Sequence, residues 1–90
     1  MSDTQTIKWE PKAKAKYDEM IDKIPLFHRE IARKVVEKKA AINAQTRGNG
    51  QIIEEDIVRA FLTEVPLAFY SLMMRLMDEV GFEYRKFENE

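Results

Sequence analysis

Leu26-Phe27-His28-Arg29-Glu30-Ile31-Ala32-Arg33-Lys34-Val35-Val36-Glu37-Lys38-Lys39-Ala40-Ala41-Ile42-Asn43-Ala44-Gln45-Thr46-Arg47 lies between Ile24-Pro25 and Gly48-Asn49-Gly50. Reading it as one long central helix decides the fold. Phe27, Ile31, Val35 and Ile42 recur at spacings of four, four and seven, with Ala32, Val36 and Ala40 beside them, which is the pattern of an apolar helix face. Arg29, Arg33, Lys34, Glu37, Lys38 and Lys39 take the outer positions, and Glu30 precedes Lys34 in the favourable i to i+4 order. Pro25 disfavours helical geometry at Ile24, so this helix is separate from the one before it. Two glycines around Asn49 let the chain turn through left-handed conformations at small cost, which stops the helix. The turn lacks the Lys-Ser or Lys-Thr ending of a phosphate-binding loop.

Working outward, Pro11 suits the first turn of a helix over 11–23, whose apolar positions Ala13, Tyr17, Met20 and Ile21 share one face with Ile24. After the glycine turn, Ile53, Ile57, Val58, Phe61 and Leu62 predict a third helix over 53–64. Glu54, Glu55 and Asp56 fill its first turn and oppose the positive end of its dipole. Pro66 closes it. The last helix, 67–80, differs in kind: between Leu67 and Met77 only Ser71 and Arg75 are polar, so it reads as apolar nearly all round. Such a helix must be buried on more than one side, more than a 90-residue chain readily supplies, and a partner surface formed by Phe69, Tyr70, Met73, Met74 and Met77 is expected. A dimer whose interface includes Met73 and Met77 follows from the same reasoning, with core packing of that helix as the alternative. The tail Phe82-Glu83-Tyr84-Arg85-Lys86-Phe87 alternates apolar and polar and is expected to lie extended over a neighbour. The fold class is therefore all-α, a small bundle of about four helices (11–23, 26–47, 53–64, 67–80) with a short C-terminal tail. Residues 1–8 read as a flexible N-terminus, 9–65 as the helical domain, and 66–90 as an apolar helix and tail packed on that domain or on a partner.

A chain of 90 residues and 10.6 kDa has room for one hydrophobic core. The absence of cysteine excludes disulfides, thiolate nucleophiles and cysteine-ligated zinc or iron–sulfur clusters. The first residues have neither the basic start nor the apolar run of a secretion signal, which points to the cytoplasm and to no membrane association. The net charge of −1 conceals a division. Residues 8–47 carry eleven basic and six acidic side chains, whereas residues 48–90 carry four and nine. The halves are thus expected to attract each other within one fold or between copies. No catalytic constellation is legible. His28 is the single histidine and reads as a solvent-facing or capping residue, Ser71 has no glycine-flanked elbow, and Trp9 reads as an aromatic lid on the start of the first helix.

Trp9, Ala13, Ile24-Pro25, Phe27, Arg29, Arg33, Glu37, Ala40, the glycine turn, Ile52, Glu55 and Ala60 also carry a family likeness. Over residues 7–62 the chain resembles the small helical domain at the C-terminus of the B subunit of light-independent protochlorophyllide reductase, a domain that also occurs alone in short proteins. The resemblance is most specific in the run from Ile24-Pro25 through Phe27, Arg29 and Arg33 to Glu37. It implies an accessory role only, because the cysteine-ligated clusters of that enzyme's catalytic parts are absent here. Ile53 stands where the family has a helix-capping threonine, and the helix after Pro66 lies outside the match. Arg29, Arg33 and Glu37 fall at i, i+4 and i+8 on one side of the central helix, as either a salt-bridged surface or a docking ridge.

The leading expectation is a noncatalytic module that needs no cofactor and self-associates or docks on a larger redox or tetrapyrrole-related enzyme. It would use the 67–80 surface together with Arg29, Arg33 and Glu37. The alternative is a nucleoid-type nucleic-acid-binding protein, since the long helix, glycine turn and short helix resemble the second half of a histone fold. The scattered basic residues and slightly acidic sum weigh against it. A third reading places a tetrapyrrole in a groove lined by Phe69, Tyr70, Met73 and Met77.

Overall fold

The computed structural model describes residues 7–48 and 50–87. Glu10 has extended backbone, and its Oε1 accepts a hydrogen bond from the Ala13 amide at 2.8 Å. This caps helix α1 (Pro11–Lys23), with proline in the first turn, where its missing N–H leaves no partner unmet. Ile24 is extended (ψ 137°), as the following proline requires, and α2 (Leu26–Thr46) begins at once. At the far end of α2, Gly48 takes φ +80°, a left-handed conformation that a side chain would strain. The chain then runs through Gln51–Ile52 (β2), which pairs in parallel with Lys8–Trp9 (β1), Lys8 opposite Gln51 and Trp9 opposite Ile52. Two residues per strand are too few to show an alternating pattern, so this pairing leaves no periodic trace in the sequence. Of the segment 1–8 expected to be flexible, residues 1–6 lie outside the described residues.

Helix α3 (Glu54–Glu64) ends at Val65, extended ahead of Pro66. Leu67–Phe69 form a 3₁₀ turn, and only from Tyr70 does α4 (Tyr70–Val80) become α-helical. Gly81, at φ +90°, closes α4. The Phe82 amide donates to the Met77 carbonyl at 2.9 Å and the Gly81 amide to Asp78 at 3.3 Å, the paired bonds of a Schellman ending. The chain is thus all-α apart from the β1–β2 pair, with the four helices close to their expected bounds.

The core differs from expectation in two ways. First, α2 packs mainly against α3 and turns Val36, Ala40 and Ala44 inward, each fully buried, while Phe27, Ile31 and Ile42 stay outside. The small alanines let α3 approach closely, with Ile57, Val58 and Phe61 filling the seam. Second, α4 does have a wet face. Ser71, Arg75, Asp78 and Glu79 lie on one exposed stripe, and Met73, Leu76, Met77 and Val80 lie on the opposite, buried one, packed toward α1. The tail is not extended over a neighbour: Phe82 and Tyr84 are buried in the chain's own core, and Tyr84–Lys86 form a 3₁₀ turn.

The oppositely charged halves meet inside this one fold. Lys16 Nζ lies 2.7 Å from Glu54, Lys23 3.5 Å from Glu79, and Arg47 2.6 Å from Asp56. Among the described residues, no single helix is long and apolar enough to cross a membrane.

Candidate functional site

Among the described residues, two groups of polar contacts brace the ends of α2, besides the Lys16–Glu54 and Asp78–Arg85 pairs near the tail. The first is the turn after α2. Asp56 is only 1% exposed, and its carboxylate takes Arg47 in a fork, Nε to Oδ1 at 3.0 Å and Nη2 to Oδ2 at 2.6 Å. Oδ2 also accepts from the Ile53 amide at 2.9 Å, and Asn43 Nδ2 donates to the Asp56 carbonyl at 3.1 Å. Ile53 cannot cap α3 with its own side chain, so Asp56 reaches back to do it. The hydrogen bond to Asp56 holds the Arg47 guanidinium on its charged form, above its already high ordinary value. Sequence reasoning gave Asp56 a place in the dipole of α3 but missed its partner, which lies across the turn. The only signal is a basic residue just before the glycines and an acid in the next helix.

The second is the seam between α1 and α2, where the expected charged ridge lies. The Arg29 guanidinium donates to the Asp22 carbonyl at 2.8 Å and to the Ile24 carbonyl at 2.9 and 3.2 Å, satisfying chain ends that α1 leaves open at the Pro25 corner. Glu37 accepts from the Tyr17 hydroxyl at 2.9 Å. Burial, reinforced by that bond, pushes the Tyr17 hydroxyl up from its ordinary value. Arg33 lies between them and is exposed. Trp9 stacks at 5.0 Å on Tyr17, which in turn faces Phe61 at 6.2 Å, so the tryptophan does lie over the start of α1.

Two concavities remain among the described residues: an open one of about 460 Å³ along the tail, lined by Asp78, Phe82, Tyr84 and Arg85 among others, and an apolar cleft of about 320 Å³ between the first half of α2 and the α3–α4 corner. Ile24, Pro25, His28, Ile31, Ala32 and Val35 form one wall; Glu64, Val65, Pro66, Phe69, Leu72 and Met73 form the other. Its lining is almost wholly apolar, with His28 and Glu64 as the two ionisable side chains. The cleft exists because two prolines, Pro25 and Pro66, each force a corner at the same end of the molecule and hold the walls apart. Ile31 in its lining is 65% exposed, and Phe27 and Leu67, next in sequence to the lining residues His28 and Pro66, are 93% and 83% exposed. His28, exposed as expected, packs its ring at 5.0 Å on Phe69 across the mouth.

Of the residues expected at an interaction surface, Phe69 and Met73 line this cleft. Tyr70 and Met74 are half-buried, and Met77 is sealed in the chain's own core. The structure therefore does not unite the set expected to hold a tetrapyrrole. Sequence reasoning placed Phe27 and Ile31 on the buried face of α2 and so missed them as surface residues. Among the described residues, no group of three or more His, Asp or Glu side chains is placed to hold a metal ion. No family model matches the chain, and neither a curated protein nor a solved structure shows significant similarity to it.

Proposed function

We propose that the chain is a noncatalytic interaction module of the cytoplasm that presents the α2/α3–α4 cleft to a protein. One observation carries this reading: an apolar cleft lined by Ile31 and Phe69, with the strongly exposed Phe27 and Leu67 next in sequence to its lining residues His28 and Pro66. Contiguous exposed apolar surface of this kind costs solubility and is retained where something covers it. The sequence likeness to the C-terminal helical domain of a protochlorophyllide reductase subunit suggests a larger redox or tetrapyrrole-related enzyme as one such partner. Self-association is the other. Arg29 and Glu37 serve the α1–α2 seam in this reading, and the docking residues are Phe27, Ile31, Phe69 and Met73.

The nucleic-acid reading rests on the likeness of the long helix, glycine turn and short helix to half of a histone fold, and salt separates the two. Contact through phosphates weakens steeply with salt, whereas apolar contact does not. With dilute protein, the apolar dye anilinonaphthalene sulfonate is expected to bind the folded chain, with affinity little changed by added salt and lost in Ile31→Asp. Absence of dye binding overturns the reading. So does retardation of duplex DNA at low salt that disappears in the Lys34→Gln, Lys38→Gln double variant.

A further inference from the structure

Resting on the docking reading above, we infer that the occupant of the cleft is a second copy of this chain, joined about a two-fold axis that runs along the cleft.

The first argument is charge. Lys34 and Lys38 lie three residues beyond Ile31 and Val35, so helical spacing puts both on the outer rim of the α2 wall. The opposite wall carries Glu64. Among the described residues none of these three makes an ion pair. A symmetric pair of clefts meets face to face in one of two ways. An axis across the cleft sets lysine rim over lysine rim. An axis along it sets each lysine rim over the partner's Glu64 twice over. Like charges brought together at an interface are strongly disfavoured, so the second arrangement is selected.

The second argument is shape and area. Phe27 and Leu67 are strongly exposed and next in sequence to the lining residues His28 and Pro66 of a cleft of about 320 Å³, and a surface carrying both knob and hole satisfies the self-complementarity that a two-fold interface requires. Phe27, Ile31, Leu67 and Phe69, at their observed exposures, offer on the order of 600 Å² before the cleft floor is included. That approaches the roughly 800 Å² each partner buries in a standard stable interface. A lipid surface would cover the projecting residues but leave the concave floor unfilled, and it has no use for Glu64.

The test is sedimentation equilibrium of the full chain over micromolar to millimolar concentration, with circular dichroism to confirm that every variant is folded. Wild type is expected at twice the chain mass, with dye binding per chain falling as the dimer forms. Phe27→Asp, which changes an exposed side chain and places an acid favourably in the first turn of α2, is expected to leave a folded monomer. Lys34→Glu and Glu64→Lys are each expected to weaken association on the order of tenfold, because symmetry changes both rims at once, and the double swap is expected to restore it. A wild type that stays monomeric at millimolar concentration overturns the inference. If dilute protein still binds dye, the docking reading survives that failure; if it does not, both fall. A dimer insensitive to Phe27→Asp, or a monomer that binds anionic vesicles through Phe27, also overturns it.

Discussion

The two ends of α2 were built by the same helix and ended in opposite ways. At the C-terminal end, Arg47, Asp56, Asn43 and the β1–β2 pair tie the turn, and among the described residues each buried side-chain polar atom has a partner. At the N-terminal end, Pro25 and Pro66 break the backbone at neighbouring corners, and the apolar surface between them is left open. The contrast teaches where stability and interaction reside. Changes at the closed end should unfold the protein, and changes at the open end should leave it folded but alter what it meets.

The sharpest way to break this contrast is Asp56→Ala. It strands the Arg47 guanidinium and the Ile53 amide, and urea unfolding followed by circular dichroism should show a loss of about 3 kcal/mol. Tyr17, midway along the seam, should matter less. Tyr17→Phe removes one hydrogen bond to Glu37 and is expected to cost about 1 kcal/mol at neutral pH. It should also change the alkaline limb of the stability curve. Because the folded hydroxyl holds its proton above the ordinary tyrosine value, its contribution is whole below about pH 10 and is lost as pH rises beyond that, when the unfolded chain ionises first. Thermal melts above pH 10 should show this loss in wild type and less of it in Tyr17→Phe. Smallest is Phe27→Ser in dilute protein. Despite deleting a phenyl ring, it should shift unfolding by no more than about 0.5 kcal/mol, as for other exposed sites. A large loss there would show that Phe27 is part of the fold.

The helix boundaries were legible because prolines and glycines act locally: Pro11, Pro25, Pro66 and the Gly48 turn each set backbone geometry whatever surrounds them. Which side of α2 faces inward was not. Phe27, Ile31, Val35 and Ile42 make one acceptable stripe, Val36, Ala40 and Ala44 another, and nothing within the helix chooses between them. The choice is made by α3, whose bulky Ile57 and Phe61 need small side chains opposite. Of the stripe with the larger residues, Phe27, Ile31 and Ile42 are surface, and Val35 alone packs against the core. On α4 the error ran the other way, since Asp78 and Glu79 complete a polar stripe that a count stopping at Met77 overlooks. The cleft itself arises from two corners distant in sequence, and the Arg47–Asp56 fork joins residues across a turn, so neither has a periodic signature.

The β1–β2 pairing has a practical consequence. It anchors Lys8 and Trp9 beside the Gly48 turn, and α2 rises on the order of 24 Å between Arg47 and Ile31. A group attached at the exposed Lys8 therefore sits at the pole opposite the cleft. A tether, label or immobilising handle placed there leaves the mouth unobstructed, whichever molecule is offered to it.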